Sequence, residues 1–339
     1  MKALYLEAIG RELVLKEVPT PSSLAPDEVL VQTELTGICY RDILTTRGFF
    51  PRTKMPVILG HEIAGKVVGV GSAVTGFREG DRVASLIYEP CGKCEYCLSG
   101  RENLCRSKRT FGEDIDGSYA DFVKVNSRSL VSAPEGVAPE GLAISACVTG
   151  MLLHAFRKRA KLSPGETVLV TGAGGGVGIH AVQIAKALGA RVIAATSSEW
   201  KAGSIREAGA SDVVVWTETF GDEVKKLTEG RGADVVLESV GGPTFSESMK
   251  SLAPGGRLVD VGNILPSPIQ FQLGVLILKE ISVIGSISSV KEDVKDALEL
   301  TAAGKIKPVV YDTLPLADAQ KGHRIMSEKA SLGRIMLRP

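Results

Sequence analysis

The pattern of hydrophobic and polar positions changes character near residue 150. Before this point, short apolar runs at 2–6, 13–18 and 29–35 are separated by Gly and Pro at close intervals. Runs of this kind predict short strands, and their uneven spacing predicts a small, irregular β barrel. The first 150 residues are therefore expected to form a β domain.

After residue 150, apolar runs alternate with segments of helical periodicity. The strand-like runs lie at 167–171, 190–195, 212–215, 233–237, 257–261 and 281–285, and helical stretches fall between the first five. Six strands connected in this way are typical of a doubly wound, parallel dinucleotide-binding sheet. From Lys291 onward the pattern predicts a helix and short strands.

A glycine-rich turn joins the first of these six strands to its helix. Residues 171–178 read Thr-Gly-Ala-Gly-Gly-Gly-Val-Gly. A strand, a glycine turn and a helix together place backbone N–H groups and a helix N-terminus against a pyrophosphate. A tight turn between two packed elements is the alternative, because such a motif alone is a weak signal. The predicted phosphate-binding residues are Ala173, Gly174, Gly175, Gly176, Val177 and Gly178.

The residues after the second strand indicate which dinucleotide binds. An acidic residue about 20 positions after the glycine motif would bind the adenosine ribose and select NAD. Here the strand ends in Thr196, Ser197 and Ser198, and Lys201 follows closely. Neutral hydroxyl groups followed by a lysine favour NADPH, with NADH also open. The nicotinamide is expected at the carboxyl ends of later strands, near Ser239, Val240, Gly262 and Asn263.

Composition narrows the classes of partner. The formal net charge of +1 indicates no nucleic-acid partner. There is no apolar run of about 18 residues and no signal-peptide pattern, so we expect a cytoplasmic protein without membrane contact. The chain contains three Asn and five Gln, and this depletion of thermolabile amides suggests a thermophilic source.

Four of the six cysteines form a metal-binding pattern. Their spacing, C-x2-C-x2-C-x7-C, lets four thiolates surround one tetrahedral Zn²⁺. An iron–sulfur cluster or free thiols are the alternatives. A site closed by four sulfurs stabilises its loop and leaves no position for substrate. This predicted structural zinc site comprises Cys91, Cys94, Cys97 and Cys105.

A second pattern surrounds His61. The run Gly60-His61-Glu62-x-x-Gly65-x5-Gly71, together with Cys39-Tyr40-Arg41-Asp42, resembles the zinc signature of the medium-chain dehydrogenase/reductase family, which includes the zinc alcohol dehydrogenases. The resemblance covers essentially the whole chain. The sequences around Cys39, Cys147 and 276–279 look closest to archaeal members, including acryloyl-CoA reductases.

The resemblance implies a fold and two zinc ions per chain. It implies a GroES-like catalytic domain from residues 1–150 and 290–339 with a structural-zinc lobe, and a Rossmann coenzyme domain from 151–289. The lobe would hold the four-cysteine zinc. The catalytic zinc would be held by Cys39, His61 and Cys147, with Glu62 either close by or an occasional fourth ligand. The Cys147 segment departs from the family's usual Cys-x-Gly-x-Thr, so a buried thiol is the alternative there.

Other residues take their expected roles from the same resemblance. Asp42 resembles the carboxylate that orients the ligating histidine. Arg334 resembles a late arginine near the cofactor pyrophosphate, with a surface charge as the alternative. Arg41 and Leu44 stand where the family usually has a hydroxyl group and a histidine that relay the alcohol proton. Neither can act as a base, so we expect a reductase that oxidises simple alcohols poorly. The predicted catalytic residues are Cys39, His61, Glu62, Asp42 and Arg41.

The implied function is an NAD(P)H-dependent exchange of hydride between nicotinamide and a carbonyl or alcohol, with zinc as a Lewis acid. One alternative is an enoyl-CoA reductase, such as an acryloyl-CoA reductase, whose substrate phosphates Arg41 would help to hold. The other is a nucleotide-binding protein with little catalysis. A partly apolar pocket is expected near Phe49, Phe50, Tyr88 and Leu265.

Family members are dimers or tetramers. The apolar stretch 275–287 is expected to form the strand pair that extends the sheet across a dimer axis.

Overall fold

The computed structural model describes residues 1–264, 266 and 268–339, so Leu265 of the expected pocket lies outside the described residues. The chain divides into two compact units. The first unit comprises Met1–Met151, Ser288–Gly304 and Val310–Pro339, and the second comprises Leu152–Ile287 and Lys305–Val309.

The strands in chain order are β1 (Lys2–Leu6), β2 (Val14–Glu17), β3 (Glu28–Gly37), β4 (Val57–Ile58), β5 (Ile63–Val70), β6 (Arg82–Ser85), β7 (Tyr88–Glu89), β8 (Arg109–Thr110), β9 (Phe122–Asn126), β10 (Leu130–Ser132), β11 (Thr167–Val170), β12 (Arg191–Thr196), β13 (Asp212–Val215), β14 (Ala233–Glu238), β15 (Leu252–Asp260), β16 (Ser282–Gly285), β17 (Val310–Pro315) and β18 (Arg334–Arg338).

The α-helices are α1 (Tyr40–Thr46), α2 (Glu95–Leu98), α3 (Pro139–Ala143), α4 (Met151–Leu153), α5 (Gly178–Ala187), α6 (Ala202–Ala208), α7 (Gly221–Leu227), α8 (Gly242–Ser251), α9 (Leu273–Lys279), α10 (Lys291–Ala302) and α11 (Ala319–Ser327). Ser145–Gly150 and His154–Arg159 are π-helical, and short 3₁₀ helices occur at Glu102–Leu104, Ser127–Ser129, Glu199–Lys201 and Leu316–Asp318.

The first unit is built on a mixed, largely antiparallel sheet in the order β10-β6-β5-β3-β18-β17, with β9 also paired to β3. Register shifts interrupt the pairing of β3 with β5, which bends the long strand. Inward-facing Val31, Val67 and Val123 are buried in one core cluster. A second sheet, β2-β1-β4, carries its own core around Leu4, Leu6 and Ile58.

The second unit is a six-stranded parallel sheet in the order β13-β12-β11-β14-β15-β16. Its central strand β11 is buried along its whole length, as expected for a strand covered on both faces. The order is that of a doubly wound dinucleotide fold. The two-part α/β fold class predicted from the sequence is therefore confirmed.

The prediction of a strand pair for residues 275–287 is wrong. Residues 275–279 belong to helix α9, and only Ser282–Gly285 is a strand. Val275 and Leu276 pack against the core of the sheet, whereas Ile277 and Leu278 are exposed. A short run of consecutive apolar residues has no clear period, so periodicity cannot distinguish the two structures.

A second correction concerns residues 305–309, which were assigned to the first domain and pack with the second unit. The Lys307 amide donates to Gln183 at 2.7 Å, and the Val309 amide donates to Nε2 of His180 at 3.0 Å. Both partners lie on helix α5. Polar side chains on a buried helix face therefore hold this segment.

Candidate active site

Four potential metal ligands meet in the first unit. Ligand atoms of Cys39, His61, Glu62 and Cys147 all lie within 4.8 Å of one another. Cys39 is at the N-cap of α1, and His61 and Glu62 follow Gly60, whose φ of +89° favours glycine. Sequence positions separated by up to 108 residues thus converge on one point.

The spacing of these atoms fits one tetrahedral zinc ion. Zinc–sulfur bonds of about 2.3 Å at tetrahedral angles place two sulfurs about 3.8 Å apart. The Sγ atoms of Cys39 and Cys147 are 3.8 Å apart, and Sγ of Cys147 is 3.4 Å from Nε2 of His61. The hydrogen bond with Cys147, opposed by burial, lowers the pKa of Cys39 well below its usual value, which favours the thiolate that binds metals.

The side chain of Asp42 orients His61. Its Oδ1 lies 3.1 Å from Nδ1 of His61, while Oδ2 accepts from the Cys39 amide at 2.9 Å and from the Tyr119 hydroxyl at 3.0 Å. With Nδ1 engaged in this way, Nε2 is directed towards Cys147. This is the arrangement in which a carboxylate fixes the orientation of a metal-binding imidazole.

Glu62 and Arg334 form a fully buried pair. Nη2 of Arg334 donates to Oε1 of Glu62, while Oε2 of Glu62 has no hydrogen-bond partner among the described residues. Burial raises the pKa of Glu62, against the opposing effect of Arg334. An unpartnered, buried carboxylate oxygen beside two thiols and an imidazole suits a metal ion. Arg334 thus lies on the metal-site carboxylate, and its role toward a pyrophosphate remains a prediction.

The four-cysteine lobe follows the same geometry. Sγ of Cys97 is 3.9 Å from Sγ of Cys91 and 3.5 Å from Sγ of Cys94. All four sulfurs, including that of Cys105, lie within 4.8 Å of one another. The amides of Lys93 and Cys94 lower the pKa of Cys91 to about 6.

Without a cation these four thiols cannot all ionise together. Burial and the thiol of Cys94 raise the pKa of Cys97 to about 12. A zinc ion would remove that penalty, since coordinated sulfurs are thiolates. Gly92, with a φ of +73°, makes the sharp turn expected after the first cysteine.

Arg41 lies in the first turn of α1. Its Nη2 donates to Oε2 of Glu113 at 2.9 Å, its Nε donates to Oε1, and its guanidinium stacks 4.4 Å from the ring centre of Phe50. Burial lowers the pKa of Arg41, but the Glu113 carboxylate and the sulfurs of Cys39 and Cys147 raise it overall. Arg41 is therefore a fixed cation near the metal-ligand cluster.

The glycine turn of the second unit has the space that a phosphate group requires. A Cβ on Gly175 would meet only the Gly172 carbonyl oxygen, at 3.3 Å, so the turn has an open face there. A Cβ on Gly178 would collide with the Gly172 carbonyl oxygen, so close packing of helix on strand requires this glycine. These two positions fit a bound dinucleotide.

The end of β12 carries hydroxyl groups and a lysine. The Thr196 hydroxyl accepts from the Ser198 amide at 3.2 Å, and Thr196 is only 4% exposed. The stem of Lys201 packs over Gly174, where a Cβ would collide with its Cδ. The predicted residues of the phosphate turn and of the strand end therefore lie together.

The carboxyl ends of β15 and β16 border an open space. An open cleft of about 490 Å³ is lined in part by Gly262 and Asn263, as well as by Asp260 and Ser286. Next to it, the Ser239 hydroxyl donates to the Thr171 carbonyl at 2.9 Å.

A buried carboxylate missed by the sequence analysis holds the end of β14. Oε1 of Glu238 accepts from the Val240 amide at 2.8 Å, and Oε2 accepts from Ser248 at 2.6 Å. A charged residue at the end of an apolar strand is the only signal that the sequence offered.

Among the described residues, every helix is too short or too polar to span a membrane.

Comparison with known proteins matches both units. Residues 25–135 match the alcohol dehydrogenase GroES-like domain, and residues 176–303 match the zinc-binding dehydrogenase domain. The acryloyl-coenzyme A reductase of Sulfurisphaera tokodaii is 43% identical, with all of both chains covered. The chain belongs to the zinc alcohol dehydrogenase branch of the medium-chain dehydrogenase/reductase family.

Further relatives of this family member span its full length. The acryloyl-coenzyme A reductase of Metallosphaera sedula is 45% identical over 99% of each chain. An NAD-dependent alcohol dehydrogenase of Saccharolobus solfataricus is 34% identical over all of both chains. The crystal structure of AibC superposes with a TM-score of 0.92 at 41% identity, covering 100% of this chain and 96% of that one.

This family member is an NAD(P)-dependent oxidoreductase that uses zinc and a nicotinamide cofactor. The family assignment and the enzymatic nature predicted from the sequence are confirmed. The alternative of a nucleotide-binding protein with little catalysis is disfavoured, because the relatives are named as reductases and dehydrogenases.

Proposed function

We propose that this enzyme reduces the conjugated double bond of a small enoyl-CoA, such as acryloyl-CoA, with NADPH as the reductant. The observation that carries the proposal is Arg41, which stands at the family's hydroxyl-relay position and is paired with Glu113. A guanidinium remains protonated and cannot accept the proton of an alcohol. Reduction of a double bond needs no such base, and the two acryloyl-coenzyme A reductases among the relatives support this substrate class.

The metal site takes its ligands from the first unit. Cys39, His61 and Cys147 would hold a catalytic zinc, with Glu62 near the fourth position, and Asp42 would keep His61 oriented. When bound, zinc supplies a Lewis acid for a substrate oxygen and the dinucleotide supplies the hydride. A second zinc in the four-cysteine lobe would stabilise that lobe alone, giving two per chain.

NADPH is the proposed dinucleotide because the end of β12 lacks a carboxylate at residues 196–198. The hydroxyl groups of Ser197 and Ser198 and the ammonium of Lys201 would receive the 2′-phosphate. The glycine turn would receive the pyrophosphate. Gly262 and Asn263 in the cleft, together with Ser239 and Val240 beside it, would surround the nicotinamide.

The test is a cofactor-oxidation assay with acryloyl-CoA, aldehydes and ketones, and the reverse assay with primary and secondary alcohols. We expect acryloyl-CoA to be the best substrate and alcohol oxidation to be slow even at alkaline pH, because a missing relay typically costs 10²–10⁴-fold. In Arg41→Thr, alcohol oxidation should rise. Brisk wild-type oxidation of alcohols that this substitution does not improve would refute the proposal.

Reduction of a carbonyl group is the second candidate. The complete ligand set of Cys39, His61, Glu62 and Cys147 favours it, since such a site is suited to polarising a carbonyl oxygen. A higher kcat/KM for aldehydes or ketones than for acryloyl-CoA would select this candidate.

The proposed assembly is a homodimer or homotetramer. Strand β16 is at the edge of its sheet, and neighbouring apolar side chains are exposed on the single chain: Leu273, Ile277, Leu278, Val283 and Ile287. An exposed edge beside an apolar patch is typical of a subunit interface.

A further inference from the structure

Contacts with two residues hold the guanidinium of Arg41 in place. Glu113 engages one side of the guanidinium through Nε and Nη2, and the face of the Phe50 ring packs against it at 4.4 Å. Phe50 is in turn braced by Phe49, edge to face, with ring centres 5.2 Å apart. Glu113 and Phe50 therefore hold the guanidinium directly, and Phe49 supports Phe50.

The pair has a buried end and an open end. The Glu113 side chain is 12% exposed, whereas the Arg41 side chain is 31% exposed. Nη1 of Arg41, with two N–H groups, makes no hydrogen bond to any described residue. The more buried carboxylate anchors the guanidinium, and the two unused N–H donors belong to the more exposed partner of the pair.

The location of this donor links it to the chemistry. Arg41 follows Cys39, a metal ligand of the proposed site, by two residues in the first turn of α1. A fixed cationic donor there is suited to an oxygen that gains negative charge during the reaction.

We infer that Nη1 of Arg41 donates to the carbonyl oxygen of an α,β-unsaturated thioester and stabilises the negative charge that develops there. This inference rests on the proposed reduction of an enoyl-CoA. Glu113 and Phe50 are positioning residues for the guanidinium.

The step balances with the reactants already named. Hydride adds to the β carbon and forms a C–H bond, while the π electrons of the double bond shift and the carbonyl becomes an enolate oxygen. The hydride and its electron pair would come from the reduced dinucleotide. The enolate then reforms the carbonyl group as its α carbon takes a proton from solvent. Arg41 remains protonated throughout, so it serves as a donor and never as a base.

The decisive experiment is chemical rescue. In Arg41→Ala we expect kcat for acryloyl-CoA to fall by about 10²–10³-fold, the usual effect of removing one oxyanion donor. Adding guanidinium to Arg41→Ala should raise kcat at least tenfold. The Kd for NADPH should stay unchanged, because the proposed dinucleotide site lies in the second unit. Arg47→Ala is the matched control, because Arg47 caps the same helix and is exposed. It should keep wild-type activity and show no rescue.

Two further variants keep the test decisive. Arg41→Lys retains the charge but loses the forked donors, so kcat should also fall by about 10²-fold. This variant provides the test if Arg41→Ala folds poorly. Glu113→Gln should lower kcat by about tenfold without rescue by guanidinium, because the donor is present but misdirected.

The outcomes separate the two proposals. A wild-type enzyme that fails to reduce acryloyl-CoA overturns the proposed function and this inference with it. A wild-type enzyme that reduces acryloyl-CoA, with Arg41→Ala and Arg41→Lys equally active, overturns the inference alone.

Discussion

A single carboxylate organises the metal-ligand cluster at the scale of residues. Asp42 contacts the imidazole of His61, the amide of Cys39 and the hydroxyl of Tyr119, and all of these groups are buried or half-buried. Two of the four potential ligands therefore depend on one side chain for their orientation. Family resemblance identified Asp42, but Tyr119 is 77 positions away and carries no motif. Glu113, 72 positions from Arg41, was missed for the same reason.

Cofactor preference can be tested at a single residue. Thr196→Asp would place a carboxylate at the end of β12, where the 2′-phosphate of NADPH is expected. Like-charge repulsion should weaken NADPH by ~1–3 kcal/mol and leave NADH unchanged or improved. The measurement is the ratio of the two dissociation constants, with Thr196→Asn as the uncharged control of equal size. Wild-type protein that already prefers NADH would show that this strand end was misinterpreted.

His323 gives a pH dependence of stability with a definite sign. Burial lowers the pKa of His323, the carboxylate of Asp42 opposes this, and the cation of Arg47 lowers the pKa further. Its Nε2 has no partner among the described residues. Because the folded state binds a proton on His323 less readily than the unfolded state does, protonation of His323 favours unfolding. Its contribution to the free energy of unfolding is therefore fully retained above the unfolded-state pKa of about 6.5 and is lost as pH falls below it.

The prediction for His323 is therefore a difference between two unfolding curves. Relative to wild type, His323→Gln should gain thermal stability as pH falls from 7 to 5, with a limiting slope of about 1.4 kcal/mol per pH unit. Unfolding midpoints at a series of pH values measure it. Two parallel profiles would contradict the assignment.

At the scale of elements, the clearest predictions came from long periodic segments. The six parallel strands and helix α5 follow from apolar runs that alternate with helical periodicity, and the structure contains them. Helix α9 was not predicted, because its sequence, Leu-Gly-Val-Leu-Ile-Leu-Lys, is almost entirely apolar and is compatible with a helix or a strand. Helix α11 was missed among the last 50 residues, where only one helix was expected.

The zinc lobe is the element whose stability should depend most directly on metal. Cys94→Ser removes one of four sulfurs and should lower the thermal midpoint by about 5–10 °C, because structural zinc contributes folding free energy. The folded variant should keep its catalytic metal. His61→Ala should do the reverse and lose one zinc with little loss of stability. Elemental analysis of both variants measures the zinc per chain, and an unchanged content in His61→Ala would contradict the second site.

At the scale of the whole molecule, the change of hydrophobic pattern near residue 150 corresponds closely to the point where the chain passes between its two units. The return of the chain was harder to predict, since residues 305–309 are held by hydrogen bonds to Gln183 and His180 more than 120 positions earlier. These long-range contacts depend on the folded helix α5, so the local hydrophobic pattern of residues 305–309 does not predict them.

Assembly is the last property that can be tested on the intact protein. Leu278 is 88% exposed on the single chain and lies on α9, close to the edge strand β16. A leucine that is exposed in the subunit costs little to replace, so Leu278→Glu should leave the fold and NADPH binding intact. If α9 is buried between subunits, the same change places two uncompensated carboxylates at a twofold interface. At ~1.5 kcal/mol each, they should weaken association by about 100-fold. Sedimentation velocity should then show a smaller species, whereas Tyr311→Glu, which alters an exposed side chain of the first unit, should not change the assembly. An unaltered sedimentation coefficient for Leu278→Glu would place the interface elsewhere.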